Sequence, residues 1–220
     1  MYHKKVDTEQ HQFNRMRLVE EIRNKGIVSE NVLTAISAIP RHFFVNASQE
    51  QLAYVDQPVP IGEGQTISQP YTVAYQTELL NVSPDDKILE IGTGSAYQAC
   101  VLSRLGTQVY TIERQKKLFE KYKVSSYLQQ CRNVHFFYGD GHEGLPAFAP
   151  FDKILITAAA PEIPQVLIDQ LKPGGQLVAP LGTQDQSQVM VRITKEKDGS
   201  LKHEAFTQFR FVPMLEGTTG

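Results

Sequence analysis

Up to residue 81 the apolar side chains recur at helical spacing, and from residue 84 they come in short runs separated by amphipathic stretches. Phe13, Met16, Val19 and Ile22 fall every three residues and predict one face of a first helix, ended by Gly26. Ser29 is placed to cap a second helix with apolar positions Val32, Leu33, Ile36 and Ile39, stopped by Pro40. The stretch from Arg41 to Gln69 has little periodicity and carries Pro58, Pro60, Gly62 and Gly64, which predicts a long ordered loop. A loop of that length inside a compact domain is usually functional or disordered. A third helix is expected from about Pro70 to Asn81, with proline in its first turn, where a missing N–H costs nothing.

After residue 84 the pattern alternates. Lys87–Ile91, Gln108–Ile112, Val134–Tyr138, Phe151–Thr157 and Gly175–Ala179 read as strands, and Ser95–Leu105, Gln115–Gln130 and Pro161–Leu171 as helices. Short apolar strands alternating with amphipathic helices imply βαβ units and a parallel sheet. Beyond Pro180 the alternation stops, and Gln188–Thr194 and Leu201–Phe209, joined through Asp198-Gly199, read as an antiparallel hairpin at the sheet edge. The expected fold is α/β in three layers, mostly parallel with an antiparallel edge hairpin, preceded by an N-terminal helical extension. No repeat, low-complexity tract or linker divides the chain. Residues 1–220 are therefore expected to form one domain, with helices and loop over 1–81 and the sheet and hairpin over 82–220.

Bulk composition narrows the classes of function. The 220 residues fit one domain, since single cores grow to roughly 250 residues. The net charge of -2 and pI near 6.3 supply no basic surplus for nucleic acid. Two cysteines are too few for a disulfide framework, and the polar N-terminal stretch lacks the apolar core of a secretory signal, so reduced thiols in a cytoplasm are expected. The longest apolar run falls well short of the roughly 20 residues of a membrane span.

Ligands of open α/β sheets bind beyond the carboxyl ends of the strands, and four features fall at such ends. The first is Glu90-Ile91-Gly92-Thr93-Gly94-Ser95-Ala96, where two glycines permit a tight turn and a ligand against the main chain. A dinucleotide fingerprint would need a third glycine where Tyr97 stands. Taken alone, this turn is also an ordinary strand-to-helix connection. Glu113, directly after a strand, can accept from ribose hydroxyls, or can pair on the surface with Arg114 or Lys116. Gly139-Asp140-Gly141 offers a carboxylate to an exocyclic amine, or is simply a turn. Thr157 to Pro161 is a small-residue run that leaves space for a reacting group. Their occurrence in order at successive strand ends favours a nucleoside-like ligand over four unrelated turns.

These residues resemble class I S-adenosylmethionine-dependent methyltransferases, which implies a Rossmann-like methyltransferase sheet. GEGQTISQPY from Gly62, EIGTGSAYQ from Glu90, GDG from Gly139, FDKILITAAAPEIP from Phe151, LKPGGQLVAP from Leu171 and RFVPM from Arg210 narrow the resemblance to protein-L-isoaspartate O-methyltransferases. RHFFVN from Arg41 is also similar. The departure is Ala96, where that family more often has glycine; the added methyl is expected to have little effect on cofactor binding. The resemblance implies transfer of methyl from S-adenosyl-L-methionine to the α-carboxylate of L-isoaspartyl residues, and more weakly D-aspartyl residues, in damaged proteins. The ester cyclises to a succinimide that hydrolyses partly to aspartate, and S-adenosyl-L-homocysteine is the co-product. Carried over residue by residue, it implies cofactor contacts at Gln65, Tyr71, Glu90, Gly92, Thr93, Gly94, Ser95, Glu113, Asp140 and Gly141. It places acceptor contacts at Thr66, Ile67 and Val212, and the catalytic serine at Ser68. A monomer acting on isoaspartyl proteins, without metal, nucleic acid or membrane, is expected.

The chemistry is consistent with that set. A carboxylate with a free pKa of about 4 is ionised at neutral pH, so no general base is required. Hydroxyls of Thr66 and Ser68 and the positive N-terminus of the Pro70 helix are available to an anion. From spacing alone, however, Ser68 reads as readily as a helix-cap or turn hydroxyl, Tyr71 as packing and Val212 as an edge strand. His42, His135, His142 and His203 show no metal-ligand spacing. Three rivals fare worse. An amino-methylating enzyme of nucleic acid would carry an Asn/Asp-Pro-Pro-aromatic run where Thr157-Ala158-Ala159-Ala160-Pro161 stands. A serine hydrolase would need Gly-x-Ser-x-Gly, which neither Ser68 nor Ser95 has. A non-enzymatic binder on the same fold has no need of the serine loop.

Overall fold

The computed structural model describes residues 5–125, 127–183 and 185–220. Seven strands form one sheet in the order β5-β4-β3-β6-β7-β8-β9. They are β3 (Lys87–Ile91), β4 (Gln108–Glu113), β5 (Val134–Tyr138), β6 (Phe151–Ile156), β7 (Leu171–Leu181), β8 (Gln188–Lys195) and β9 (Leu201–Phe209). The first five named pair in parallel, whereas β7–β8 and β8–β9 are antiparallel, which is the edge hairpin expected from the sequence. The chain leaves β3 for β4 and β5 on one side and returns to β6 on the other. The carboxyl end of β3 is therefore the switch point where an open sheet offers a crevice.

The period-two alternation of strands produces the three layers. Ile88, Val109, Leu155 and Val178 join a core under α1 (Glu9–Asn24), α2 (Glu30–Ala38), α3 (Pro70–Leu80) and α4 (Tyr97–Arg104). Their neighbours Leu89, Ile91, Ile154, Ile156 and Leu177 face the opposite side with Leu167 and Ile168 of α6 (Gln165–Asp169). Cys100 and Cys131 are free thiols whose sulfurs lie 3.6 Å apart.

Four expectations are corrected. The buried face of α1 is Arg15, Leu18 and Ile22, while Phe13 and Met16 are 51% and 61% exposed. A strict three-residue repeat drifts around a helix of about 3.6 residues per turn, so Phe13 and Ile22 end about half a turn apart. The stretch 41–69 is not a loop throughout, since it holds 3-10 turns at Arg41–Phe44 and Ala47–Leu52 and a hairpin of β1 (Val59–Gly62) and β2 (Gln65–Ile67). Glu63 and Gly64 both have positive φ, the conformation of a two-residue hairpin turn, and glutamate there hides the usual Asn-Gly signal. The helix after β4 is α5 (Lys116–Lys123), shorter than expected, and α6 is likewise cut to Gln165–Asp169, because Pro161 and Pro164 bias the residues before them away from helix. Finally, α4 begins at Tyr97, and Ala96 before it is left-handed at φ 65°.

Candidate active site

Four segments meet beyond the carboxyl ends of β3, β4 and β6. The turn after β3 is held from both sides. Gly92 and Thr93 donate their N–H groups to the carbonyl of Ile112 at 3.0 and 3.2 Å, and the Thr157 hydroxyl approaches the Gly92 carbonyl at 2.7 Å. A Cβ on Gly92 would stand 2.6 Å from that hydroxyl oxygen, and φ there is 97°, so the position excludes other residues on two counts. Glu113 accepts the N–H of Gly94 at 2.7 Å and that of Gln115 at 2.8 Å. Burial raises its pKa, against those backbone donors. The alternative of a surface ion pair is thereby set aside, because Glu113 is buried and bonded to the turn.

Glu90 lies beneath this turn and is fully buried. The Thr111 hydroxyl donates to it at 2.5 Å and stands 2.6 Å from the Thr93 hydroxyl. Burial pushes the Glu90 carboxyl up to about 8, with the Thr111 bond opposing and the nearby Glu113 charge adding.

The opposite wall is the β1–β2 hairpin and the residues before α3. Val59 pairs with Ile67 and Pro60 with Thr66. Lys121 reaches the Ile61 carbonyl at 3.2 Å, pinning the hairpin to α5. The N-cap of α3 is Gln69. The anion at that helix terminus is Asp56, which accepts the Tyr71 N–H at 2.8 Å, the Gln69 amide at 2.9 Å and Lys25 at 2.6 Å. The expectation that this terminus serves an incoming carboxylate is therefore corrected, and Ser68 is not the capping residue. The Ser68 carbonyl accepts from Arg41 at 2.8 Å.

The segment after β9 crosses the strand ends. Ala159 donates to the Val212 carbonyl at 2.7 Å and accepts from Met214 at 2.8 Å. The small-residue run is thus spent on this docking at Ala159, and only Thr157 and Ala158 face the cleft. Farther along, the Gly217 N–H reaches Asp140 at 2.6 Å, Arg114 reaches the Gly217 carbonyl at 2.9 Å, and Thr219 pairs with Gln115. Burial works against the Asp140 charge, but the N–H groups of His142 and Gly217 and the His142 ring hold its pKa below the usual value.

The resulting cleft encloses about 810 Å³, open to solvent. Of the residues expected from the sequence, it brings together Gln65, Thr66, Ile67, Ser68, Gly92, Thr93, Gly94, Ser95, Glu113, Gly141 and Val212. It does not bring in Glu90, which is enclosed below, or Asp140, which sits behind Gly141. Tyr71 also stays outside, packing on Tyr75 and Phe209 with ring centroids 5.9 and 6.2 Å away. Sequence reasoning missed Tyr97, Gln98 and Met214 on the wall and Arg41 and Asp56 behind it. RHFF pointed to Arg41 only through resemblance, and nothing in the spacing marked Asp56. Elsewhere, Asp7, His11 and His42 bring potential metal-ligand atoms within 4.8 Å of one another. Asp7 there pairs with Arg15 at 3.0 Å, and His42 Nδ1 with the Tyr54 hydroxyl at 2.7 Å.

The model of the protein-L-isoaspartate (D-aspartate) O-methyltransferase family matches residues 13–219. The chain belongs to this family. It is similar to the protein-L-isoaspartate O-methyltransferase of Flavobacterium psychrophilum, 52% identical over 210 residues that cover 96% of this chain and 98% of the relative. The protein of the same name from Dictyoglomus turgidum is 46% identical over 220 residues, covering 100% and 99%. Among solved structures, a protein-L-isoaspartate O-methyltransferase superimposes with TM-score 0.82 at 29% identity, covering 94% of this chain and 66% of that one. A family structure from Plasmodium falciparum, in complex with S-adenosyl-L-homocysteine, gives TM-score 0.79 at 26% identity over 92% of this chain and 98% of that one. This family member thus has the Rossmann-like methyltransferase fold of its solved relatives.

Proposed function

We propose that the chain methylates the α-carboxylate of L-isoaspartyl residues in damaged proteins, using S-adenosylmethionine, and so starts their repair through a succinimide. The observation that carries this reading is the meeting, in one cleft, of the Gly92–Ser95 turn and Glu113 with the hairpin residues Gln65–Ser68. The residues fit the cofactor. Glu113 spends one lone pair per oxygen on backbone N–H groups and keeps others for a ribose diol. Gly92 and Gly141 let the backbone of the two turns lie directly against Thr157 and Ile91, since a Cβ would stand 2.6 and 2.4 Å from them. Asp140, fixed by His142 and Gly217, is the acceptor for an exocyclic amine. Glu90 acts from beneath, through Thr111 and Thr93, and Tyr71 is read as packing.

When bound, S-adenosylmethionine supplies an electrophilic methyl group on a sulfonium and a neutral thioether as leaving group. The chain's own work is to hold an already ionised carboxylate in line and to exclude water, and such positioning can supply about 7–11 kcal/mol. Ser68, with Thr66 and Ile67 beside it and Val212 across the cleft, is assigned to that positioning and not to nucleophilic attack. No proton has to be removed, so neither a general base nor a metal is demanded. We read the chain as a monomeric single domain of the cytoplasm. Its net charge of -2 gives no electrostatic reason for a nucleic-acid substrate, and among the described residues no helix is long and apolar enough to cross a membrane.

The deciding assay is transfer of labelled methyl to two peptides that differ only in aspartate or isoaspartate at one site. Selective labelling of the isoaspartyl peptide is expected. Equal labelling of both, or labelling of neither, would overturn the reading.

A further inference from the structure

Arg41 heads the large, fully buried side chains among the described residues. Its Nη2 donates to the Ser68 carbonyl at 2.8 Å, and its guanidinium carbon lies 4.8 Å from the Tyr97 ring centroid. Its Nε and Nη1 are buried, and the Tyr97 side chain helps to hold the charged form. Burial brings its pKa down to about 10, so the group is still a cation at neutral pH. The acid whose charge acts on it, Asp56, is engaged by Lys25, Gln69 and the Tyr71 N–H. A fully buried cation with no acid of its own is destabilising in itself, and packing alone does not account for it here.

Its place in the cleft does. Ser68 and Tyr97 both line the cleft, so the guanidinium sits one side chain behind the wall at the acceptor end. The guanidinium has no solvent-exposed surface, so it is screened less than a surface charge would be. The other ready source of positive potential, the N-terminus of α3, already carries the Asp56 carboxylate. A substrate carboxylate beside Ser68 therefore lies next to a peptide that the Arg41 cation itself holds.

We propose that Arg41 is a positioning residue for the acceptor: it fixes the Ser68 peptide and supplies the positive potential that selects an anionic acceptor over a neutral one. This rests on the reading of Ser68 as the acceptor end of the site. The charge and the hydrogen bond are separable, because a carboxylate and a carboxamide have nearly the same shape. A role in holding Ser68 affects both equally, whereas the potential affects only the charged one.

The test uses two peptides, one with L-isoaspartate and one with its α-carboxamide counterpart, as competing ligands of the full chain in the presence of S-adenosyl-L-homocysteine. Binding of that nucleoside is measured first by calorimetry to establish that each variant is folded. The unsubstituted chain is expected to prefer the carboxylate peptide by about tenfold or more, the size of a through-space charge effect at intermediate dielectric. Arg41→Met is expected to bring the two peptides within about twofold of each other, with nucleoside affinity changed by less than about threefold. Arg41→Lys keeps the charge and is expected to keep most of the preference while turnover falls. Equal weakening of both peptides by Arg41→Met, with the preference intact, overturns the proposal and leaves the acceptor reading standing, as does loss of the preference in Arg41→Lys. Absence of any preference in the unsubstituted chain overturns the acceptor reading and this proposal with it. Arg41→Gln is the second neutral variant and carries the comparison if Arg41→Met fails to bind the nucleoside.

Discussion

The carboxylate of Glu113 accepts the backbone N–H of Gly94 at 2.7 Å and thereby ties the end of β4 to the turn after β3. One side chain both shapes the turn and presents the remaining lone pairs to the cleft. Glu113→Ala removes both. Affinity for S-adenosyl-L-homocysteine is expected to fall by about 30-fold or more, since hydrogen bonds to charged groups contribute about 1.5–3 kcal/mol. Calorimetric titration measures it, and an unchanged affinity would show that the turn holds its shape unaided. Glu113→Gln is expected to lie between the two.

Ser68 lines the cleft at the end assigned to the acceptor, Asp140 stands behind Gly141 at the end assigned to the nucleoside, and the two are expected to fail in opposite ways. Ser68→Ala lowers turnover much more than it weakens cofactor binding, while Asp140→Ala weakens cofactor binding first. Steady-state kinetics with both substrates varied, beside a binding isotherm, separates the two. Identical patterns in both variants would contradict the division of the cleft into ends.

Glu90 predicts a pH dependence of stability. Its carboxyl titrates near 8 in the fold against an ordinary value of 4.5, because burial opposes ionisation. Between those values the unfolded chain has released a proton that the folded chain keeps. The stability from this group is therefore complete below about 4.5 and is lost as pH rises through about 8. The loss is on the order of a few kcal/mol. Urea unfolding at pH 5, 6.5 and 8 should show a shallower decline for Glu90→Gln than for the unsubstituted chain, and parallel declines would refute the assignment.

Ala96 is left-handed and fully buried. A left-handed non-glycine residue is disfavoured by about 1–2 kcal/mol, and removing the buried methyl forfeits about 0.8 kcal/mol. The first effect is the larger. Glycine also frees the unfolded chain by about 0.4–1 kcal/mol, so the terms nearly cancel and Ala96→Gly is expected to leave the unfolding midpoint little changed, with cofactor affinity unchanged. A lower midpoint would mean that the methyl packs better than its strain costs.

The sheet was legible because its signals are local. Apolar runs such as Ile88-Leu89 and Ile154-Leu155-Ile156 need only two faces to bury, and the Asp198-Gly199 turn announces the hairpin. The strand-end wall of the cleft was legible for a related reason, since a glycine turn and an acid at successive strand ends are visible in sequence. Tyr71 was misplaced because a helix start says nothing of which face its second residue takes. The contacts of Arg41 and Asp56 behind the cleft were invisible because their partners, Ser68 and Tyr71, lie 27 and 15 residues away. The β1–β2 hairpin was missed because Glu63 takes a conformation usually announced by asparagine or glycine.

The segment after β9 has a consequence for synthesis. Val212 to Leu215 form part of the cleft wall, and the Gly217 N–H engages Asp140. The seven strands of the large sheet precede this segment, so a nascent chain can assemble that sheet while the cleft is still missing a side. The cleft is therefore closed only after its scaffold has been made, and a chain cut short after Phe209 would lack one wall of it.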